Sequence, residues 1–357
     1  MALLLASPAQ ALIEADHASA VIFVYQRVGE DSQPSSSISI DTFKSHIKEL
    51  KTGGYNVLPL SKIIEVLKEG ETLPMKTVGI TFEGGYLSTL NNAVPVLEEA
   101  ELPYAVFFAS DMADSSNPSH MTWSQLKSLR KKKGVTLGIL PSAYAHLAGL
   151  PAEQSSNLIN KAMTRYKENF GDDPEYFAYP YGEFSSALRK QVGGYNFKAA
   201  FGQHSGVVYA KSDFTALPRF TMTDAFGDLE RFQLTARALP LPVSDVTPED
   251  TLIKDNPPMI GFTVTPEIAS LGKLSCFLSG AGKAETARPG GGRVEIRLKD
   301  PLDVRRTRVN CTLPDDTIIP GEPQSWRWFG MLLIAPDLDE DAPAPAVPDE
   351  EDDTRDE

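Results

Sequence analysis

Glu83 carries the carboxylate in this chain that is best placed to do chemistry. It belongs to the run Thr-Phe-Glu-Gly-Gly-Tyr at residues 81–86, which follows an apolar stretch at 78–80 and leads to a helical pattern at 90–100. The apolar stretch indicates a buried strand, and α/β folds place their catalytic groups at the carboxyl ends of such strands. Glu83 could act as a general base, but we favour the simpler hypothesis that it bonds to nearby backbone or faces water.

Histidine is the second residue type that could take part in such chemistry. His146 and His204 both follow strand-like runs, so His146 could ligate a metal together with Glu83, and His204 could line a pocket. Two ligands rarely hold a metal, and a loop histidine is the simpler interpretation of both, an exposed one for His146. The remaining histidines have no partner by spacing and receive no role; they are His17, His46 and His120.

Strands and helices alternate along residues 21–241, and these elements must position the residues above. Predicted strands cover residues 21–25, 56–60, 77–82, 104–108, 135–138, 176–179 and 199–201. Predicted helices cover 41–50, 61–69, 152–170 and 185–192, with another beginning at 122. Asp41 and Ser61 are the expected N-caps of the first two helices. Repeated strand–helix units of this length indicate a parallel barrel or a doubly wound sheet.

The sequence changes character after these units. Stretches at 241–243 and 256–258 indicate a linker, and residues 242–336 combine short strand-like runs with Gly and Pro turns, which favours a small β-sandwich. This region holds both cysteines of the chain, Cys276 and Cys311. They could be buried free thiols or form a disulfide, and a disulfide would favour an oxidising compartment.

Composition and charge restrict the class of partner. The chain of 357 residues is 41% hydrophobic and 23% charged, as in ordinary soluble globular proteins. Its formal net charge of −14 lies mostly in residues 337–357, which carry −10 and leave −4 for the other 336 residues. That acidic, Pro- and Ala-rich segment is expected to be disordered. No basic stripe runs through the sequence, so nucleic acid is not an expected partner.

Residues 1–20 form either a signal-like segment or a frayed N-terminus. A short apolar run is followed by Ala-Gln-Ala at 9–11, which resembles a secretory cleavage site, but the basic residues that usually precede such a run are missing. No other stretch is long and apolar enough to span a membrane. We expect a periplasmic or secreted protein, with the cytoplasm as the alternative.

Several runs within residues 21–241 resemble the motifs of the polysaccharide deacetylase (NodB-homology) family, in its bacterial branch. Residues 81–86 resemble the Thr-Phe-Asp-Asp-Gly motif, and Phe-Ala-Tyr-Pro-Tyr-Gly at 177–182 matches the third motif of the family. Other similar runs are Val-Tyr-Gln-Arg at 24–27, Phe-Gly-Gln-His-Ser-Gly at 201–206 and Leu-Pro-Arg-Phe at 217–220. The resemblance implies a deformed (β/α) barrel, followed here by the small all-β sandwich-like domain.

The resemblance also implies which residues would hold a metal. In the family the first Asp of the motif is the general base, the second binds the metal, and two histidines complete the ligands. The corresponding positions here are Glu83, Gly84, Leu140 and Tyr144, with His146 at the place of an additional histidine of one branch. Gly84, Leu140 and Tyr144 are not usual ligands. We therefore expect a degenerate member without a cofactor. It would bind a polysaccharide or oligosaccharide with N-acetylated sugars, or a protein partner.

The third motif implies a second part of the site. In the family the backbone N–H at the position of Tyr181 stabilises the oxyanion, and Tyr181 keeps that donor. The substrate-binding positions implied by the resemblance are Tyr86, Pro180, Tyr181, Gly182, His146 and His204. Pro180 and Gly182 could serve only to shape the turn. An aromatic surface for sugar rings could be formed by Tyr86, Tyr144, Tyr179, Tyr181 and Trp123, although such residues often belong to the core.

Two other hypotheses remain. An active hydrolase could remove acetyl groups from N-acetylated polysaccharide through a shifted site, in which Glu83, His146 and His204 would hold a divalent metal such as zinc at about 2.0–2.2 Å. Alternatively, the β-domain could have a structural role, with the barrel as its scaffold. Trp326 and Trp328 share one face of a strand and are expected in the core of that domain.

Overall fold

The computed structural model describes residues 15–115, 117–268, 270–317 and 321–339. Most of the predicted signal-like segment and acidic tail therefore lies outside the described residues. The strands are β1 Ser19–Tyr25, β2 Arg27–Val28, β3 Ser37–Ile38, β4 Asn56–Val57, β5 Thr77–Glu83, β6 Tyr104–Phe108, β7 Val135–Ile139, β8 Tyr176–Ala178, β9 Ala199–Phe201, β10 Val208–Tyr209, β11 Phe220–Thr221, β12 Leu239–Pro240, β13 Val243–Thr247, β14 Ile260–Val264, β15 Ser275–Leu278, β16 Gly282–Lys283, β17 Glu285–Gly290, β18 Arg293–Arg297, β19 Arg306–Pro314 and β20 Trp326–Ile334.

The helices lie mainly between the strands of the first domain. They are α1 Ile40–Thr52, α2 Leu60–Lys68, α3 Val94–Glu99, α4 Ser110–Asp114, α5 Trp123–Arg130, α6 Ala152–Phe170, α7 Ser186–Gly193 and α8 Leu229–Ala236, with a π-helical turn at Thr89–Ala93 and a 3₁₀ turn at Pro180–Gly182. Within the described ranges, no helix has the length and apolar character that crossing a bilayer requires.

The first domain is the deformed barrel that the motifs predicted. Strands β1, β5, β6, β7, β8 and β9 are parallel neighbours in that order. The segment 217–221 joins the two ends of this row, because Leu217 bridges to Phe201 of β9 and β11 pairs in parallel with β1. The strands therefore curl around a closed interior, and their carboxyl ends meet at one mouth.

Side-chain alternation divides the barrel's apolar residues into two layers. Ile22, Phe107 and Phe201 fill the interior, whereas Phe23 and Phe82 pack outward against the helices. Every residue of β5 is buried, as expected for a parallel strand covered on both faces. Because Phe82 points outward, the next residue of β5 turns its side chain into the barrel.

The helix starts differ slightly from the predicted ones. Ser39, rather than Asp41, is the N-cap of α1, and its hydroxyl accepts a hydrogen bond from the Thr42 backbone N–H at 3.2 Å. α2 begins at Leu60 after Pro59 and has no side-chain cap, so Ser61 lies inside the helix. Both Ser and Asp are good caps, and only the path of the preceding loop decided between Ser39 and Asp41.

The second domain consists of two packed sheets. One has the strand order β12-β20-β19-β15-β16 and the other β13-β14-β18-β17. Their inner faces share one apolar cluster, which includes Phe262 and Leu333. A disulfide joins Cys276 and Cys311, which are paired directly across β15 and β19. β13 begins at Val243, so a strand of the sandwich starts within the first of the two stretches where a linker was expected.

The sandwich packs closely on the barrel. Trp328 lies edge-on against Phe220 of the barrel, with ring centroids 5.1 Å apart, and its Nε1 donates to Asn310 at 3.1 Å. The prediction that Trp328 belongs to the core of the sandwich is therefore wrong: it belongs to the barrel's outer layer. Arg327 adds an ion pair to Asp16 at 2.8 Å. These contacts bring β19 and β20 up to the barrel.

Candidate functional site

Glu83 ends β5 and is fully buried in the barrel. Its Oε1 accepts hydrogen bonds from the Tyr144 hydroxyl at 3.0 Å and from Gln203 Nε2 at 2.9 Å. Its Oε2 is paired with the Arg219 guanidinium. The hypothesis that Glu83 bonds to backbone or faces water is therefore wrong. The closed interior excludes water, and three side chains satisfy the carboxylate instead.

Arg219 is the positive partner of this carboxylate and is itself fully buried. It comes from the segment that closes the barrel, and its Nε donates to Gly202 O at 2.8 Å. The guanidinium carbon lies 5.4 Å from the Phe107 ring centroid and 5.7 Å from that of Phe201. Arg219 lies in the motif-like run at 217–220, but no role was predicted for it. A buried acid at the motif position needs a buried cation, and that requirement could have identified Arg219 as a candidate.

The Tyr144 hydroxyl is the centre of the site. It donates to Glu83 and accepts from Gln26 Nε2 at 3.1 Å and from the Tyr181 backbone N–H at 3.3 Å. Burial and the neighbouring Glu83 raise the pKa of Tyr144 well above its usual value, so the hydroxyl stays protonated. One donated and two accepted bonds use its full capacity. The Tyr181 N–H, the expected oxyanion donor, is therefore already engaged by the chain's own side chain.

Gly84 stands where the family resemblance implies a metal-binding carboxylate, and the space beside it is filled. Its φ of +106° is a conformation that favours glycine, and a Cβ added there would lie 2.3 Å from Cε2 of Tyr86. The Tyr86 ring is held in place by the Arg27 guanidinium, 3.7 Å from its centroid. Arg27 is in turn paired with Glu30. A longer side chain at position 84 would have to displace this stack.

Leu140 and Tyr144 hold the other two implied ligand positions. Leu140 follows β7, is fully buried, and belongs to the apolar interior of the barrel. Zinc binds Cys, His, Asp and Glu side chains, and the described residues contain no group of three or more of these that could hold a metal ion. The residues present at the motif positions do not fit the divalent metal of family enzymes.

His146 lies at the mouth, where contacts to Glu183 and Tyr181 fix its side chain. Its Nδ1 lies 2.9 Å from Glu183 Oε2, and its ring stacks on Tyr181 at 4.2 Å. Glu183 is fully buried and also lies 3.4 Å from Arg305 Nε and 3.8 Å from Arg306 Nε of the sandwich. His146 therefore lies on a loop, as expected, but its side chain is half-buried rather than exposed. The cause, docking of the sandwich at this edge, could not be read from local sequence.

The predicted aromatic surface divides into two groups. Tyr144 and Tyr181 lie edge to face at the mouth, 4.6 Å apart, and the Arg306 guanidinium lies 5.2 Å from the Tyr181 ring centroid. Tyr179, in contrast, is fully buried and its hydroxyl donates to Thr215 O at 2.8 Å. Trp123 packs against Phe108 outside the barrel. We call Tyr144, Tyr181, His146 and Tyr86 the aromatic rim.

His204 faces a different space from the aromatic rim. It lines a cavity of about 410 Å³ between barrel and sandwich, together with Phe184 and Trp328. Burial, aided by Arg219, lowers the pKa of His204 to about 4, so the imidazole is neutral at pH 7. Glu83, His146 and His204 each have separate surroundings, and the structure does not bring them together.

Pro180 and Gly182 shape the turn that carries Tyr181. Both are buried, and Gly182 has a φ of +74°. A Cβ on Gly182 would lie 2.4 Å from the Gln203 backbone N. Only glycine allows this approach, which places the Gln203 amide against Glu83. Gln203 and Gln26 are further site residues that were not predicted, although both lie within motif-like runs, at 201–206 and 24–27.

Comparison with known proteins agrees with this fold. Residues 70–200 match the sequence profile of the polysaccharide deacetylase domain. The poly-beta-1,6-N-acetyl-D-glucosamine N-deacetylase of Staphylococcus aureus is 22% identical over 213 residues, 57% of this chain and 73% of that protein.

Solved structures also resemble the barrel, and two of them serve as examples. One is the Streptococcus pyogenes deacetylase PplD in complex with acetate, with a TM-score of 0.56, 16% identity, and coverage of 61% of this chain and 98% of the other. The second is IcaB from Ammonifex degensii, with a TM-score of 0.55, 22% identity, and coverage of 62% and 97%.

Proposed function

This chain belongs to the polysaccharide deacetylase family, and from that premise we propose that it is a catalytically degenerate member that binds N-acetylated glycan without hydrolysing it. One observation carries the proposal. The Tyr144 hydroxyl engages both Glu83, at the position of the general base, and the Tyr181 N–H, at the position of the oxyanion donor. One side chain therefore bonds to the groups at both of these catalytic positions.

The first function is proton abstraction. A general base must reach the proton that it removes with a free lone pair. Both oxygens of Glu83 are already engaged, by Arg219 on one side and by Tyr144 and Gln203 on the other. Releasing Glu83 for catalysis would break a fully buried ion pair, and such a change strongly destabilises the fold. This supports a structural role for Glu83.

The second function is stabilisation of charge on a carbonyl oxygen. That task needs preorganised donors directed at empty space, whereas the Tyr181 N–H is directed at Tyr144 Oη. A metal would normally lower the pKa of a bound water and supply the nucleophile, but Gly84, Leu140 and Tyr144 offer no suitable donor set. We therefore assign no hydrolytic step to the residues of this mouth.

Glycan binding is proposed from the aromatic rim and from the relatives. Aromatic faces combine apolar area with little conformational freedom and are common in binding sites. His146 and Tyr181 are stacked at the mouth and only partly buried, so both side chains contribute to the surface there. The named Staphylococcus aureus relative acts on poly-beta-1,6-N-acetyl-D-glucosamine, which makes oligomers of that sugar the first ligand to test.

The test is titration calorimetry with β-1,6-linked N-acetylglucosamine oligomers, together with an assay for released acetate. We expect saturable binding, no acetate release, and binding weakened about tenfold or more by Tyr181→Ala, since stacked aromatic side chains often dominate binding energy. Phe277→Ala, which alters an exposed aromatic residue of the sandwich, is the matched control. Acetate release with turnover would refute the degenerate assignment, and absence of binding would favour a protein partner or a scaffold role.

An active enzyme with a shifted metal site is the less favoured function. It would require Glu83, His146 and His204 around one ion, whereas Glu83 is paired with Arg219, His146 lies against Glu183, and His204 lines the interdomain cavity. Elemental analysis of purified protein for stoichiometric zinc separates the two functions. We also propose a periplasmic or secreted location, which the Cys276–Cys311 disulfide supports, rather than the cytoplasm.

A further inference from the structure

Three arginines, Arg231, Arg306 and Arg308, form what we call the arginine cluster, between barrel and sandwich. Arg306 and Arg308 alternate along β19 with Thr307, which is buried in the sandwich. The two arginines therefore share the outward face of the strand. Asn310, next on that face, bonds to Trp328 at the domain junction, so this face of β19 is the one that meets the barrel.

The barrel contributes Arg231 from α8. Its Nη1 donates to Thr221 O at 3.3 Å, and the guanidinium also bonds to Phe226 O. Close by in the chain, the Thr221 and Thr223 hydroxyl oxygens are buried without a hydrogen-bond partner in the described part of the protein. Unsatisfied buried hydroxyls are uncommon, and here one lies at the end of β11 and the other two residues beyond it.

The three arginines of the cluster differ in how their charges are balanced. Within the described residues, the Arg308 guanidinium makes no hydrogen bond or ion pair. Arg306 Nε lies 3.8 Å from Glu183, a carboxylate that also contacts Arg305 and His146, and the negative charge of Asp228 partly balances that of Arg231. Burial and the nearby charges of Arg306 and Arg231 lower the pKa of Arg308 to about 10.

We propose that the arginine cluster is a binding site for an anionic group, a phosphate or a carboxylate carried by a ligand at the barrel mouth. Guanidinium groups match both anions through paired N–H donors, and the Thr221 and Thr223 hydroxyls are further donors near the mouth. Arg306 lies over Tyr181 of the aromatic rim, so an anionic substituent on a ligand at the rim could reach the cluster. The site does not depend on whether the barrel hydrolyses or merely binds its ligand.

The test is calorimetric titration of the full chain with inorganic phosphate and, separately, with glucuronate, at constant ionic strength. We expect saturable binding of at least one probe, and the tighter of the two identifies the source of the anion. Arg308→Met should weaken it about tenfold or more, because charge-assisted bonds of arginine are strong. Arg297→Met, which alters an exposed arginine on the other sheet of the sandwich, should leave the affinity unchanged.

Folding of the variants is checked by thermal unfolding without added anion. Because Arg308→Met removes an unpaired charge, its Tm should be no lower than that of the wild type. Arg308→Lys provides a second variant, which keeps the charge but loses the paired donors and should bind with intermediate affinity. A wild type that binds neither probe at millimolar concentration, or an affinity that Arg308→Met leaves intact, overturns the proposal.

Discussion

Two buried charged regions of this protein differ in how completely their polar groups are satisfied. Around Glu83, the carboxylate is matched by Arg219, Tyr144 and Gln203, so both of its oxygens are bonded within the chain. In the arginine cluster, Arg308 has no partner in the described residues. The comparison teaches that burial of charge does not itself identify a functional site. A site needs polar groups that the fold leaves unpaired, and the Glu83 carboxylate is not such a group.

The largest expected loss of stability comes from removing one partner of the buried Glu83–Arg219 pair. Arg219→Met leaves Glu83 buried without its cation, and loss of one partner of a buried pair costs about 3–5 kcal/mol. The free energy of unfolding from urea titration measures this loss. Arg308→Met is the matched control and should cost far less, because no pair is broken. Equal losses in the two variants would contradict the contrast between the two regions.

The double variant Glu83→Gln/Arg219→Met sharpens that result. It removes both charges, so that the buried carboxylate no longer lacks a partner, and it should recover much of the stability lost in Arg219→Met. If the double variant is as unstable as the single one, packing of Arg219 between Phe107 and Phe201, rather than charge pairing, dominates.

His46 is another buried polar group whose hydrogen bonds are satisfied, and it makes the stability of the protein depend on pH. It is fully buried, with Nε2 donating to Gly227 O at 2.7 Å and Nδ1 accepting from the Tyr25 hydroxyl at 3.0 Å. Burial lowers the pKa of His46 to about 4, whereas the unfolded value is about 6.5. The unfolded state therefore binds more protons below pH 6.5. Stability should fall as the pH drops from about 6.5 to 4, by up to about 3 kcal/mol.

Urea titrations at several pH values measure this effect. His46→Gln should show a shallower loss of stability in the same window, with the remainder partly due to His204, whose pKa is lowered in the same way. The exposed His17 provides the control, and His17→Gln should follow the wild-type profile. A His46→Gln profile that coincides with the wild type would show that His46 is not the titrating group.

The smallest expected effect concerns the filled space beside Gly84. Gly84→Asp places a side chain at a positive φ and against the Tyr86 ring, and should cost about 1–3 kcal/mol. Gly54→Asp is the control for the cost of placing a non-glycine residue at a positive φ. Gly54 has a φ of +75° but nothing within 4 Å of an added Cβ. Adding Tyr86→Ala to Gly84→Asp should recover part of the loss. Equal stability of the two Asp variants would mean that Tyr86 is not an obstacle.

The sequence predicted the fold well and the site less well. Apolar runs at regular spacing indicated β1, β5, β6 and β7 because a parallel barrel buries both faces of its strands. The motif residues marked the mouth correctly, since Glu83, Tyr144 and Tyr181 do meet there. The partners of Glu83 were not predicted, because Arg219 and Gln203 lie more than 100 residues away along the chain and no local pattern relates them.

The sequence by itself determined that the three positions implied for a metal are Gly84, Leu140 and Tyr144, since side-chain chemistry at a position is fixed by residue type. Only the tertiary structure decided which charged groups surround these positions. Barrel closure brought Arg219 to Glu83, and docking of the sandwich brought Arg305 and Arg306 to Glu183. Pairing between distant charges depends on which surfaces pack together, and packing is a property of the whole chain rather than of any segment.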